Sequence, residues 1–103
     1  MSDNLFEVLA EPKRRTILDA LRVKERTVGE LVALTSLSQP GVSKHLRILR
    51  EAGLVSAAKH GQKHLYRLHA QPLTDVDRWL QPYRPLWPDK LDALERYLDE
   101  EES

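Results

Sequence analysis

Residues 36–53 read Ser-Leu-Ser-Gln-Pro-Gly-Val-Ser-Lys-His-Leu-Arg-Ile-Leu-Arg-Glu-Ala-Gly. Ser38 stands where a helix should begin, and Pro40 falls in its first turn. Val42, Leu46 and Leu49 recur at helical spacing, Ile48 widens the stripe, and Gly53 supplies the stop. The start, the buried face and the end of one helix are therefore all encoded locally. The opposite face carries Gln39, Ser43, Lys44, Arg47 and Arg50. Amide, hydroxyl and cationic side chains on one face suit the base edges and phosphates of a DNA major groove. The bland alternative is a solvated face. Spacing favours the first reading, in which 38–52 is the second helix of a helix-turn-helix.

The segments before it supply the rest of that motif. Residues 3–10 predict a short helix with Asp3 or Asn4 as cap and Leu5, Phe6 and Leu9 apolar. Glu11-Pro12 predicts a break, because the residue before proline resists helical geometry. Pro12 then opens a helix to about Val23 with Ile17, Leu18 and Leu21 inward. Lys13, Arg14 and Arg15 crowd its first turn, where positive charge is mildly unfavourable. A phosphate contact or a solvated face would each account for that triplet. Lys24-Glu25-Arg26 reads as a polar turn. Thr27 and Glu30 form a capping-box pattern, and Val28, Leu31, Val32 and Leu34 give the next helix an apolar face. Thr35-Ser36-Leu37 is the turn between the two helices of the motif.

After Gly53 the apolar period shifts toward two. Residues 54–60 and 63–69 read as strands around Gly61-Gln62, a pair suited to a type II′ hairpin. Tyr66 and Leu68 form the inward pair, and Leu65 and Arg67 share the other face. A basic hairpin directly after a DNA-reading helix is a wing. Residues 72–100 return to helical spacing, but Pro82, Pro85 and Pro88 interrupt it, and one interior proline costs a helix about 3 kcal/mol. The expectation is a helix over 73–81, a bent segment over 82–87 and a second helix over 88–100. The fold class is mainly α with a two-stranded β-hairpin, in the order α-α-α-α-β-β-α. The 103 residues make one domain, with 3–70 as its core and 71–103 as a terminal helical section.

The chain is formally neutral, with 16 basic and 16 acidic residues, yet the charge is segregated. Residues 40–69 hold six cationic side chains against Glu51 alone, a net of +5, together with all four histidines. Residues 89–103 carry a net of −5. One end is suited to phosphate while the other avoids it. There is no cysteine, which excludes disulfides and thiolate metal sites. No leader or membrane-length apolar run is present, which fits a cytoplasmic protein. No paired acid and base and no phosphate-binding glycine loop appear, so no enzyme is expected.

Leu18-Asp19-Ala20-Leu21, Thr27-Val28-Gly29-Glu30-Leu31 and the dense block Ser38–Val55 resemble the ArsR family of small dimeric winged-helix repressors. The resemblance covers residues 5–70 well and the proline-bearing end less well. It implies a transcriptional repressor that binds a near-palindromic operator as a homodimer. Many relatives sense metals through cysteines on the helix before the reading helix, which here is Glu30-Leu31-Val32-Ala33-Leu34-Thr35. Others use histidine and carboxylates on the terminal helix, where this chain has Asp75, Asp77 and Glu95 but no histidine. The resemblance is thus to metal-independent members, with no cofactor and no metal ligands.

The candidate DNA contacts on the helix and its start are Ser38, Gln39, Pro40, Gly41, Ser43, Lys44, His45, Arg47 and Arg50. On the wing they are His60, Gln62, Lys63 and Arg67. Gln39, Ser43 and Lys44 are read as base contacts, and Arg47, Arg50, Lys63 and Arg67 as phosphate contacts. His45, beside the apolar stripe, is either a phosphate contact or a buttress of the turn. His60 and His64 flank the hairpin turn without the further ligands that a closed zinc site wants. The expected dimer seam takes Leu5, Phe6 and Leu9 from the first helix. From the terminal section it takes Val76, Trp79, Leu80, Tyr83, Trp87, Leu91, Leu94 and Leu98. Aromatics at helical spacing more often form an interface, and the alternative is a pocket in a small-molecule-responsive repressor. A winged-helix protein-interaction module without sequence-specific DNA binding is the other alternative, and the basic segment 40–69 argues against it.

Overall fold

Four helices lead into a hairpin and a fifth helix: α1 (Ser2–Ala10), α2 (Pro12–Val23), α3 (Val28–Thr35), α4 (Gln39–Glu51), β1 (Val55–His60), β2 (Lys63–Leu68) and α5 (Leu73–Leu80). The structure is a computed structural model and describes residues 2–87 and 96–100. A 3-10 turn at Gln81–Tyr83 follows α5, and 96–100 is helical again. This is the mainly helical, winged arrangement that the sequence predicts. The bend after α5 begins just before Pro82, which has no N–H to continue the ladder. The positions of Leu91 and Leu94 lie outside the described residues.

Each boundary from α2 to α4 has a local cause. Glu11 holds extended backbone ahead of Pro12, and its carboxylate accepts a hydrogen bond from the Lys13 N–H at 3.2 Å. Thr27 and Glu30 close the expected capping box: Thr27 Oγ1 accepts from the Glu30 N–H, and the Glu30 carboxylate accepts from the Thr27 N–H at 2.8 Å. That hydrogen bond stabilises the ionised form and holds the Glu30 pKa below its ordinary value. Ser38 Oγ accepts from the Gly41 N–H at 3.1 Å and so starts α4. At the other end, the Gly53 N–H reaches Arg50 O at 2.9 Å and the Leu54 N–H reaches Leu49 O at 3.0 Å. This is a Schellman closure, and it requires the left-handed φ of +79° that Gly53 adopts.

One core results. Ile17, Leu31, Val42, Leu46, Leu49 and Leu54 are almost wholly buried, with Leu5, Val8, Leu18, Leu21 and Val55 around them. Tyr66 and Leu68 pack on it from the hairpin, and Leu73 and Val76 from α5. The hairpin is antiparallel with His60 opposite Lys63 at its tip and Val55 opposite Leu68 at its base. Gly61 alone of the two turn residues has positive φ, as a type II′ turn requires.

Three local expectations need correction. α1 begins at Ser2, so Asp3 and Asn4 sit inside its first turn instead of capping it. Leu34 is 53% exposed. The inward stripe of α3 is Val28, Leu31, Val32 and Thr35, and Leu34 lies about 120° around the helix from its centre. The polar turn at 24–26 is also more than a turn. Arg26 exchanges two backbone hydrogen bonds with Tyr66, at 3.1 and 2.8 Å, and so adds a one-residue third rung to the hairpin.

Candidate nucleic-acid interface

Helix α4 is about 20 Å long at 1.5 Å per residue, a length that fits a major groove. Its buried stripe of Val42, Leu46 and Leu49 fixes which face turns outward. Gln39, Pro40, Ser43, Lys44, Arg47 and Arg50 are all exposed on that outer side. Pro40, Ser43, Lys44 and Arg47 line one shallow depression, so the structure brings these four together. At the wing, His60, Gln62, Lys63 and also Lys59 and His64 are exposed around the turn.

The cations divide into two groups. Arg14 and Arg15 donate to the last carbonyls of α1, Val8 O at 3.2 Å and Leu9 O at 2.6 Å. Arg26 Nε donates to Ala20 O near the end of α2 at 2.9 Å. These guanidinium groups satisfy carbonyls that a helix end leaves open. The crowded first turn of α2 is explained by that capping for two of its three cations. Arg78 pairs with Asp75 at 3.2 Å, and Arg84 pairs with Asp77. By contrast, among the described residues Lys44, Arg47, Arg50, Lys59 and Lys63 have no ion-pair partner. Their charge is available to an incoming polyanion.

Four of the expected DNA contacts are placed differently. His45 lies about 160° around α4 from Arg47. It is half-buried against α2, where its Nδ1 accepts a hydrogen bond from Arg14 Nε at 3.2 Å. The ring is a buttress, though of α2 and not of the turn. Burial, followed by the neighbouring Arg14 cation, pushes the His45 pKa down. Gly41 faces the cap: a Cβ there would meet Ser38 Oγ at 3.1 Å. Ser38 spends its acceptor on the cap, while its side chain stays exposed. Arg67, opposite Ser56 near the hairpin base, has its Nε 3.4 Å from the Glu25 carboxylate. Arg14 and Glu25 are the residues that sequence reasoning missed. The unfavourable cation at the start of α2 was a visible signal, but its partner 31 positions away was not.

The terminal aromatics gather on a second surface. Trp79 packs edge-on against Phe6, with ring centroids 5.5 Å apart, and Tyr83 lies 5.1 Å beyond it. Trp79 (54%), Tyr83 (46%), Leu86 (59%) and Trp87 (51%) remain exposed. Leu98 and Tyr97, on the helical segment 96–100, are exposed as well. Phe6, Leu9, Val76 and Leu80 are half-buried, whereas Leu5 turns wholly into its own core. Leu5 therefore offers no side-chain surface to a second copy.

Residues 11–57 match the model of the family described as bacterial regulatory protein, arsR family. The transcriptional repressor SdpR of Bacillus subtilis is 35% identical over 78 residues, which cover 76% of this chain and 87% of that protein. The arsenical resistance operon repressor of Staphylococcus xylosus is 34% identical over 74 residues, covering 72% of this chain and 71% of that one. Among solved structures, the homodimeric winged helix-turn-helix DNA-binding domain of Mb0332 from Mycobacterium bovis superposes with a TM-score of 0.64. It shares 27% identity and covers 88% of this chain and 82% of that one. The chain belongs to the ArsR family of bacterial regulatory proteins and is a transcriptional regulator built on a winged helix-turn-helix, not an enzyme.

Proposed function

We propose that this chain is a sequence-specific repressor that binds a near-palindromic operator as a homodimer and does not respond to metal. The observation that carries the reading is the outer face of α4. It is held outward by a fully buried stripe and carries Ser43, Lys44 and Arg47 together, with cations that have no partner among the described residues. Gln39 and Ser43 share a face near the helix start and would read bases. Lys44 would join them, while Arg47, Arg50 and the wing tip would hold phosphates, in the cytoplasm where the DNA lies.

Homodimerisation is supported by the exposed aromatic surface around Trp79, too apolar for a solvated helix, and by the homodimeric relative from Mycobacterium bovis. Metal independence is supported by donor chemistry. The chain has no cysteine and residues 70–103 have no histidine. The carboxylates of Asp75 and Asp77 are engaged by Arg78 and Arg84.

Selection of bound sequences from a random duplex pool tests the reading directly. It should return one near-palindromic site, and an unenriched pool would reject sequence-specific binding. Zinc or arsenite added to that complex should leave its affinity unchanged. A tenfold change with stoichiometric metal would overturn the metal-independent part.

A further inference from the structure

We infer that Arg14 is a positioning residue for DNA reading: its guanidinium ties the end of α1 to α4 through His45 and so sets the angle at which the reading face is presented. The inference rests on the DNA-binding reading of α4 proposed above.

Apolar contacts hold α4 on the core but are non-directional. Burial of Val42, Leu46 and Leu49 fixes which face turns outward, and a directional contact can set its angle more finely. The directional contact from α2 to a side chain of α4 is the hydrogen bond from Arg14 Nε to His45 Nδ1 at 3.2 Å. Arginine has no acceptor, so the ring must offer Nδ1 unprotonated and carry its hydrogen on Nε2. The same guanidinium donates through Nη1 to Val8 O at 3.2 Å, with Glu7 O at 3.5 Å. A planar fork with five donors reaches both helices at once, which a lysine ammonium on a single stem does not. The far end of this link matters too. α1 carries Phe6, which stacks edge-on against Trp79 of α5 at the aromatic surface. A chain of direct contacts therefore runs from that surface through α1 and Arg14 to the flank of the reading helix.

The ring's electrostatic surroundings suit the arrangement. Glu11 favours its protonation, while Arg14, Lys44 and Lys13 oppose it together with burial. The neutral ring can accept; an imidazolium facing Arg14 cannot.

The test uses the full chain with Arg14→Ala, Arg14→Lys, His45→Ala and His45→Gln. Affinity is measured for the selected operator and for a scrambled duplex at two salt concentrations, alongside urea melts. Arg14→Ala, Arg14→Lys and His45→Ala should each lower the operator-to-scrambled ratio about tenfold, the equivalent of one charge-assisted hydrogen bond. Affinity for scrambled DNA and the salt slope should stay as in the wild type. His45→Gln keeps an acceptor oxygen and should hold the ratio within about threefold of wild type. If Arg14→Ala does not fold, Arg14→Lys and His45→Ala carry the comparison. An unchanged ratio in folded Arg14 variants of a selective wild type would overturn the inference alone. A salt slope lowered by about one would make Arg14 a phosphate contact and overturn it equally. A wild type with no preference for any duplex would instead remove the DNA-reading proposal, and this inference with it.

Discussion

Replacing Lys63 with glutamine should weaken the salt dependence of DNA binding, whereas the same change at Arg67 should hardly alter it. The two residues share a strand face, and the sequence alone reads them as equivalent phosphate contacts. The structure separates them. Lys63 stands at the wing tip opposite His60, exposed and without an ion-pair partner among the described residues. Arg67 lies 3.4 Å from Glu25, with the two side chains 57% and 44% exposed. Such a pair adds at most about 1 kcal/mol to stability, but it cancels charge where phosphate would approach. Each phosphate contact contributes about 0.9 to the slope of log affinity against log salt. In a homodimer, Lys63→Gln removes two contacts and lowers the slope by about 1.8. Between 50 and 200 mM salt, wild-type affinity should then fall about twelvefold more than that of the variant. Arg67→Gln should change the slope by less than half as much. Glu25→Gln should tighten binding by releasing Arg67. Fluorescence anisotropy on one labelled duplex at several salt concentrations measures all four proteins. Equal slopes for the Lys63 and Arg67 variants, both below wild type, would show that Glu25 does not restrain Arg67. Wild-type slopes in both would mean that the wing does not touch the DNA backbone.

Leu46→Ala removes a side chain only 1% exposed at the centre of the core, and should cost about 2–5 kcal/mol in a urea melt. Gly53→Ala forces a Cβ onto the left-handed Schellman position and should cost about 1–2 kcal/mol, with Gly53→Asn milder. The new methyl would stand 3.6 Å from Pro72, an ordinary contact, so the loss would be conformational and not steric. For His45, the folded pKa lies below the unfolded value of about 6.5, so the unfolded chain binds the proton more readily. Its contribution should be fully present above pH 6.5 and fade as pH falls toward the depressed value. Urea midpoints from pH 8 to 5 should therefore drop less in His45→Gln than in wild type.

Helix boundaries were legible because their causes are local. Ser38, Pro40 and Gly53, or Thr27 and Glu30, act within a few residues of themselves, and the structure places them as caps and stops. The outer face of α4 was legible for the same reason, since its burial stripe follows from helical period alone. Some of the differences are local, as at the start of α1 and at Leu34, and the rest are not. Leu34 was counted as inward because it is apolar, although the stripe that meets the core passes through Thr35 instead. His45 and Arg67 read as DNA contacts because they are basic and lie within the right segments. Their partners Arg14 and Glu25 reach them only once the chain has folded, so the sequence does not show that they are engaged. Polarity and spacing identify a face, but not which of its side chains are already engaged.

The backbone exchange between Arg26 and Tyr66 makes the hairpin a cantilever. At Tyr66 its inner strand is clamped on both edges, by β1 and by the loop before α3. Beyond Tyr66 the two strands continue alone to Gly61 and Gln62. Residues added in matched pairs at that free end would lengthen the beam and keep every existing side chain on its present face, because the strand period is two. The clamp, the core beneath it and α4 would be undisturbed. The reach of the wing is thus a dimension of this molecule that can be retuned at the hairpin tip without refolding α4 or the core.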